Sequence, residues 1–261
     1  MHESDEPGLV YLGHGEHQGQ GEHQGHGDTT EETRDASDRT VCLWAQPPGE
    51  VPLPEGVSMH RLRSVGPRLP RREGNLALTA VGMLTWHHDY RYCASCGSPL
   101  EPRRDGWVLQ CGNDHMHFPR TDPAVIVAIT DSEDRLLLAK NRRTCTAMVS
   151  VLAGFVEPGE DFESAIVREV HEEVGLTVNR LEYRASQPWP YPRSLMIGYR
   201  AHVTAETDPD ALVLQDEEIE HARWWTRREF HEARANGSLV IPDSASIARA
   251  LINEWSGAPE C

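Results

Sequence analysis

Three carboxylates, Glu169, Glu172 and Glu173, recur at spacings of three and four within GFVEPGEDFESAIVREVHEEVGL, the run from Gly154 to Leu176. On an α-helix those spacings place the side chains on one surface, where like charges repel unless a cation is shared among them. Hard divalent ions such as magnesium or manganese take several oxygen ligands, so the triplet points to a metal site, with an ordinary solvated acidic face as the plainer alternative. In the same run Phe162, Ile166, Val170 and Val174 recur every four residues. That periodicity predicts a helix over about 162–174 whose apolar face meets the core and whose carboxylates lie on the opposite, exposed face, with Gly175 as its C-terminal stop.

Two further groups carry chemistry. Cys93 and Cys96, followed after fourteen residues by Cys111, supply three ligands of a tetrahedral structural zinc site, and the next residues, Gly112-Asn113-Asp114-His115, offer two candidates for the fourth. His115 suits zinc better than Asp114, because imidazole is the commoner companion of thiolates; three unligated thiols packed as small apolar groups are the other reading. The segment Ser186-Gln187-Pro188-Trp189-Pro190-Tyr191-Pro192-Arg193-Ser194 holds two aromatic rings on a backbone stiffened by three prolines. Such a wall can stack on a nucleobase or a nicotinamide ring, or merely cap the core.

These groups need elements to position them. Around the helix the apolar runs AVIVAIT, RLLLAK and SVLAGFV, then LEYRASQPW, LMIGYRAHV and EHARWWT, read as strands, and a C-terminal helix is expected near Ile247–Trp255. Strands alternating with helices in this way predict an α/β/α sandwich over residues 120–256. Residues 91–119 form the ribbon segment, and residues 41–90 alternate short apolar runs with Pro and Gly, which predicts a small α+β region of limited regularity. Residues 1–40 contain GEHQGQGEHQGHGD and almost no aliphatic side chains, so they are expected to stay disordered, and His14, His17, His23 and His26 are read as solvated.

The formal net charge of −16 excludes a general polyanion binder, since such binding needs Lys and Arg against phosphates. No apolar run approaches the ~20 residues of a membrane span, and the first thirty residues lack a secretory signal pattern, so a cytoplasmic protein with reduced thiols is expected.

The order Gly154, Glu160, Arg168-Glu169, Glu172-Glu173, Gly175, Leu176 resembles the whole Nudix box, and SQPWPYPRS resembles the SQPWPFPxS signature of the NADH pyrophosphatases, with Tyr191 where Phe is usual. The resemblance runs from about Trp86 to Trp255, through the cysteine pair, Phe118-Pro119 and EIEHARWW. It implies a Nudix fold that hydrolyses the diphosphate of NAD(H) to NMN(H) and AMP. Removal of an NAD cap from RNA 5′ ends at the same site, or hydrolysis of another nucleoside diphosphate derivative such as ADP-ribose, are the rival substrates. The metal ligands it implies for magnesium or manganese are Glu169, Glu173, Glu218 and the carbonyl of Ala153, with Glu172 or Glu173 as the base. Arg168 would orient a neighbouring glutamate, and Gly154 and Gly159 would serve the tight loop before the helix. The substrate positions it implies are Phe118, Gln187, Pro188, Trp189, Pro190, Tyr191, Pro192, Arg193, Ser194 and Ala248. Relatives of this kind carry a second CxxC where this chain has Cys111-Gly-Asn-Asp114-His115, and a homodimer is expected.

Overall fold

The computed structural model describes residues 10–16, 40–45, 60–143, 146–215 and 217–257, the first two segments as backbone. The chain divides into two compact units: residues 1–62 with 70–120, and residues 63–69 with 121–261.

In the first unit β1 (Val10–Glu16) pairs antiparallel with β2 (Thr40–Ala45). The stretch read as a disordered tail is therefore a strand over Val10–Glu16, where Val10, Tyr11 and Leu12 supply β-branched, aromatic and aliphatic residues that the His/Gly/Gln run lacks. Residues 17–39, with His17, His23 and His26, lie outside the described residues. The four-residue helix α1 (Leu62–Val65) falls mostly in the second unit, and the chain returns to the first unit with α2, Arg71–Asp89. It is one regular helix where limited regularity was expected. Gly74 and Gly82 interrupt its apolar pattern, and only Met83 and Trp86 are fully buried, so the period is weak in the sequence. Met83 and Trp86 pack with Leu109 of a three-stranded antiparallel sheet made of β3 (Leu100–Arg103), β4 (Val108–Cys111) and β5 (Met116–His117).

The second unit is built on a mixed sheet in the order β11-β7-β6-β10-β9, with β8 paired to β6 beside that path. The strands are β6 (Asp122–Thr130), β7 (Leu136–Asn141), β8 (Leu152–Phe155), β9 (Val178–Trp189), β10 (Ser194–Val203) and β11 (Ile219–Trp225). β6 runs parallel to β10, and its residues from Ala124 to Thr130 are all buried. Val125, Val127 and Ile129 face one core while Ile126 and Ala128 face the other, which is why the strand reads as an unbroken apolar run instead of an alternation.

One core lies under α3 (Phe162–Val174), through Ala165, Ile166, Val170 and Val174. The other lies under α4 (Arg227–Ala235) and α5 (Ile247–Ser256), through Phe230, Leu251, Ile252 and Trp255. The unit is the α/β/α sandwich the strand and helix pattern predicts. α3 has the predicted ends: Asp161 caps it by accepting from the Ser164 amide, and Gly175 closes it in the left-handed region at φ 74°. Its apolar face is corrected at one position. Phe162 is 38% exposed and Ala165 takes its place in the core, because a strict four-residue repeat drifts around a helix of 3.6 residues per turn.

Candidate active site

The loop from β8 to α3 brings the acidic residues together. Gly159, at φ 98°, makes the turn before the helix, and the Glu157 amide donates to the Glu160 carboxylate at 3.0 Å. Arg168, nearly two turns into α3, donates from Nε and Nη2 to Glu160 at 2.7 and 2.9 Å, from Nη1 to Glu169 at 2.9 Å and Glu172 at 3.2 Å, and from Nη2 to the Phe155 carbonyl at 2.9 Å. The guanidinium holds the Glu160 carboxyl down to about 2, so this pair is a fixed strut between loop and helix. Arg168 therefore positions Glu169 and Glu172.

The three carboxylates of the helix are not equally placed, and here the structure corrects the picture of an exposed acidic face. Glu172 is exposed and Glu169 half-buried, whereas Glu173 is 3% exposed and its Oε2 has no hydrogen-bond partner among the described residues. Burial first, then the charges of Glu169, Glu218 and Glu172, push the Glu173 carboxyl up to about 8. Burial also raises Glu169, against the opposing pull of Arg168. Glu218, just before β11, belongs to the same electrostatic cluster and accepts from Arg143 Nη2 at 2.9 Å. Ala153, exposed in β8, pairs in register with Ile126. A buried carboxylate oxygen left without a donor, facing other carboxylates, is costly unless a cation joins it. The all-oxygen donor set suits magnesium or manganese.

The aromatic segment forms the β9–β10 hairpin. Trp189 pairs with Ser194 across it, and Pro190 to Arg193 form the turn, with a cis Tyr191–Pro192 peptide. The rings of Trp189 and Tyr191 meet edge to face at 5.2 Å. Arg63, which belongs to the same unit, lies over both, 5.2 Å from the Trp189 ring and 5.7 Å from Tyr191. Arg63 is not among the site residues the sequence points to, because nothing local ties it to rings far along the chain.

Other residues of the segment hold the wall in place. Gln187 donates to the Ala245 carbonyl at 2.5 Å and accepts from the Ile247 amide at 2.7 Å, pinning the start of α5, in which Ala248 is buried. Arg193 pairs with Asp122 at 2.9 Å, Ser194 and Pro190 are buried, and Pro188 and Pro192 are exposed. Phe118, 56% exposed, lies in the first unit.

In that first unit Cys93, Cys96, Cys111 and His115 bring one ligand atom each within 4.8 Å of one another. Cys96 and Cys111 sulfurs are 3.7 Å apart and Cys93 Sγ is 3.4 Å from His115 Nδ1, close to the ~3.5–3.8 Å edges of a tetrahedron with zinc–ligand bonds of 2.0–2.3 Å. Asp114 is turned away: it stands at φ 63° and accepts from Gln110 Nε2 at 3.1 Å. Hydrogen bonds from Ser98 and Asn113 bring the Cys96 thiol down to about 5, favouring the thiolate. His117, not anticipated from the sequence, places Nε2 3.3 Å from Cys93 Sγ.

Residues 120–243, which span the sheet, the Arg168 strut and the four glutamates, match the NUDIX domain family. Residues 120–243 are a Nudix domain. Residues 88–118 match the NADH pyrophosphatase zinc ribbon domain, so the Cys/His cluster lies in a zinc ribbon. The chain is 41% identical over 204 residues, 75% of its length, to the NAD-capped RNA hydrolase NudC of Mycobacterium bovis, of which the match covers 64%. It is 41% identical over 186 residues, 69% of the chain and 62% of the relative, to NAD-capped RNA hydrolase NudC of Pseudomonas syringae, and 35% identical over 201 residues, 72% of the chain and 43% of the relative, to NAD-capped RNA hydrolase NUDT12 of Macaca fascicularis. The chain thus spans just under two thirds of the length of the bacterial relatives. Among the described residues no helix is long and apolar enough to cross a membrane.

Proposed function

We propose that this Nudix domain hydrolyses the diphosphate of NAD(H) to NMN(H) and AMP. The observation that supports it most is the buried, unpartnered carboxylate of Glu173 among Glu169, Glu172 and Glu218, a donor set that asks for divalent cations, in the domain that also carries the Trp189–Tyr191 wall. Glu169, Glu173, Glu218 and the Ala153 carbonyl would hold magnesium or manganese. When bound, such ions supply positive charge against the diphosphate and make a nucleophile from water accessible near neutral pH.

The chain's own residues do the rest. Arg168 keeps Glu169 and Glu172 in fixed orientation, with Glu160 as its anchor, so the carboxylates need little rearrangement when substrate arrives. Glu172, exposed where Glu173 is buried, is the carboxylate open to accept the proton of the attacking water. Trp189 and Tyr191 offer ring faces to the base or the nicotinamide, and Arg63 stiffens that wall from one side.

A second reading has the same bond broken in an NAD cap on RNA, and the similarity to NAD-capped RNA hydrolases favours it. The cut is identical; only the strand leaving the adenosine 3′ side differs. A structural zinc in the ribbon, supported by the Cys93–Cys96–Cys111–His115 cluster, and a cytoplasmic homodimer complete the proposal.

The decisive experiment incubates the protein with magnesium or manganese and NADH, NAD, NAD-capped RNA, ADP-ribose or a diadenosine polyphosphate, and separates the products. NMNH and AMP from NADH, or NMN and 5′-monophosphate RNA from the capped strand, are expected. Cleavage of ADP-ribose or diadenosine polyphosphate alone rejects the NAD reading and retains the domain.

A further inference from the structure

Four carboxylates crowd the acidic site, yet the cations matched to them differ sharply in how they are held. Arg168 is half-buried and makes five hydrogen bonds, to Glu160, Glu169, Glu172 and the Phe155 carbonyl. Among the described residues Arg143 makes one ion pair, from Nη2 to Glu218 Oε1 at 2.9 Å, and its side chain is 76% exposed. Glu173 has neither.

The backbone beneath Arg143 is better fixed than its side chain. β7 ends at Asn141 and β11 begins at Ile219, and these two residues are partners in the antiparallel ladder. The Arg142 amide donates to the Glu218 carbonyl at 2.8 Å, and the Arg143 amide donates to Asn141 Oδ1 at 2.8 Å. Position 143 is thereby held at the edge of the carboxylate cluster whatever its guanidinium does.

We propose that Arg143 is an exchangeable counter-ion: it pairs with Glu218 and, when that carboxylate takes a divalent cation, turns its guanidinium to a phosphate of the substrate. This rests on the Nudix reading of Glu218. An exposed ion pair changes an equilibrium by only about twofold to fivefold, so a doubly charged ion displaces it readily. The released guanidinium, a planar fork of five donors on an anchored backbone, is suited to a phosphate. The exchange forms and breaks no covalent bond, and it keeps one positive group on Glu218 in both states.

The test uses the whole chain, manganese alone and then substrate. Manganese titration followed by electron paramagnetic resonance of the free ion is run on the unsubstituted protein, Arg143→Gln and Arg143→Lys. Arg143→Gln is expected to bind manganese about twofold to fivefold more tightly, because its competitor is gone, and Arg143→Lys to stay near the unsubstituted protein. In steady-state assays with the dinucleotide, Arg143→Gln should raise KM more than it lowers kcat, with partial recovery in Arg143→Lys. Unchanged or weaker manganese binding in Arg143→Gln overturns the exchange, and so does tighter binding with an unchanged KM. If the unsubstituted protein hydrolyses no dinucleotide, the functional reading fails, while the manganese titration still decides whether Arg143 competes for Glu218.

Discussion

The carboxylate of Glu169 fills the space directly over Gly154: a Cβ at position 154 would lie 1.9 Å from Glu169 Cδ and 2.1 and 2.3 Å from its oxygens. Strand and helix are matched there so that only a glycine lets the carboxylate point where it does. Gly154→Ala is therefore expected to push the flexible end of Glu169 aside while leaving β8 paired with β6. Activity should fall ~10- to 100-fold, the range for displaced metal-site groups, with a change in thermal midpoint of a few degrees at most. Full activity in Gly154→Ala would show that Glu169 is not needed in that position.

Glu173 ties stability to pH. Its carboxyl is raised from 4.5 to about 8, so between those values the folded chain keeps a proton that the unfolded chain has released. Metal-free stability from this group is accordingly lost as pH rises from 4.5 towards 8, by an amount on the order of a few kcal/mol. Glu173→Gln removes that dependence. Thermal melts in chelator should show the variant matching the parent near pH 4.5 and exceeding it at pH 8, by ~2–4 °C for each kcal/mol recovered. Magnesium should stabilise the parent more than the variant at pH 8, and turnover should be nearly abolished in the variant. A parent whose metal-free midpoint is flat across this window would contradict the buried-carboxylate picture.

In the ribbon, elemental analysis should find up to one zinc per chain. Cys96→Ser and His115→Ala should lose the metal together with stability of the first unit, because both offer ligand atoms within 4.8 Å of the rest. Asp114→Ala should keep it, since Asp114 is occupied with Gln110. Zinc retained in His115→Ala but lost in Asp114→Ala would reverse the assignment.

The helix ends, the strand runs and the glutamates of α3 were legible because each rests on local pattern: a cap, a period or a turn glycine. What was not legible depends on contacts between residues far apart in the chain. Glu173 looks like its neighbours Glu169 and Glu172 in the text, and only the packing of α3 on the sheet separates a buried carboxylate from an exposed one. Arg63 reaches Trp189 across more than a hundred residues. Gln187, a substrate position by resemblance, also ties its side chain to Ala245 and Ile247, 58 and 60 residues on, which no local pattern foretells. α4 was missed although Thr226 and Glu229 spell a capping box, because in its largely charged run only Phe230 and Ala233 are buried.

On the proposed reading substrate choice falls to the hairpin, since an acidic metal site can engage any diphosphate. Trp189 is half-buried, with Tyr191 against its edge at 5.2 Å and Arg63 over its ring, so one face of the wall is already occupied and the remaining surface is what a planar ring can use. Removing the indole should cost about 1–3 kcal/mol of stacking, seen as a higher KM for NADH with a smaller change in kcat. ADP-ribose keeps the adenosine diphosphate and lacks nicotinamide, so it separates the two rings. Equal proportional losses on NADH and ADP-ribose in Trp189→Ala would place adenine on the wall; a loss confined to NADH would place nicotinamide there. Trp189→Phe should recover part of the loss in either case, because the ring face is retained. If the parent cleaves ADP-ribose as efficiently as NADH and Trp189→Ala alters neither, the wall does not select the substrate, and the preference for NAD is lost along with it.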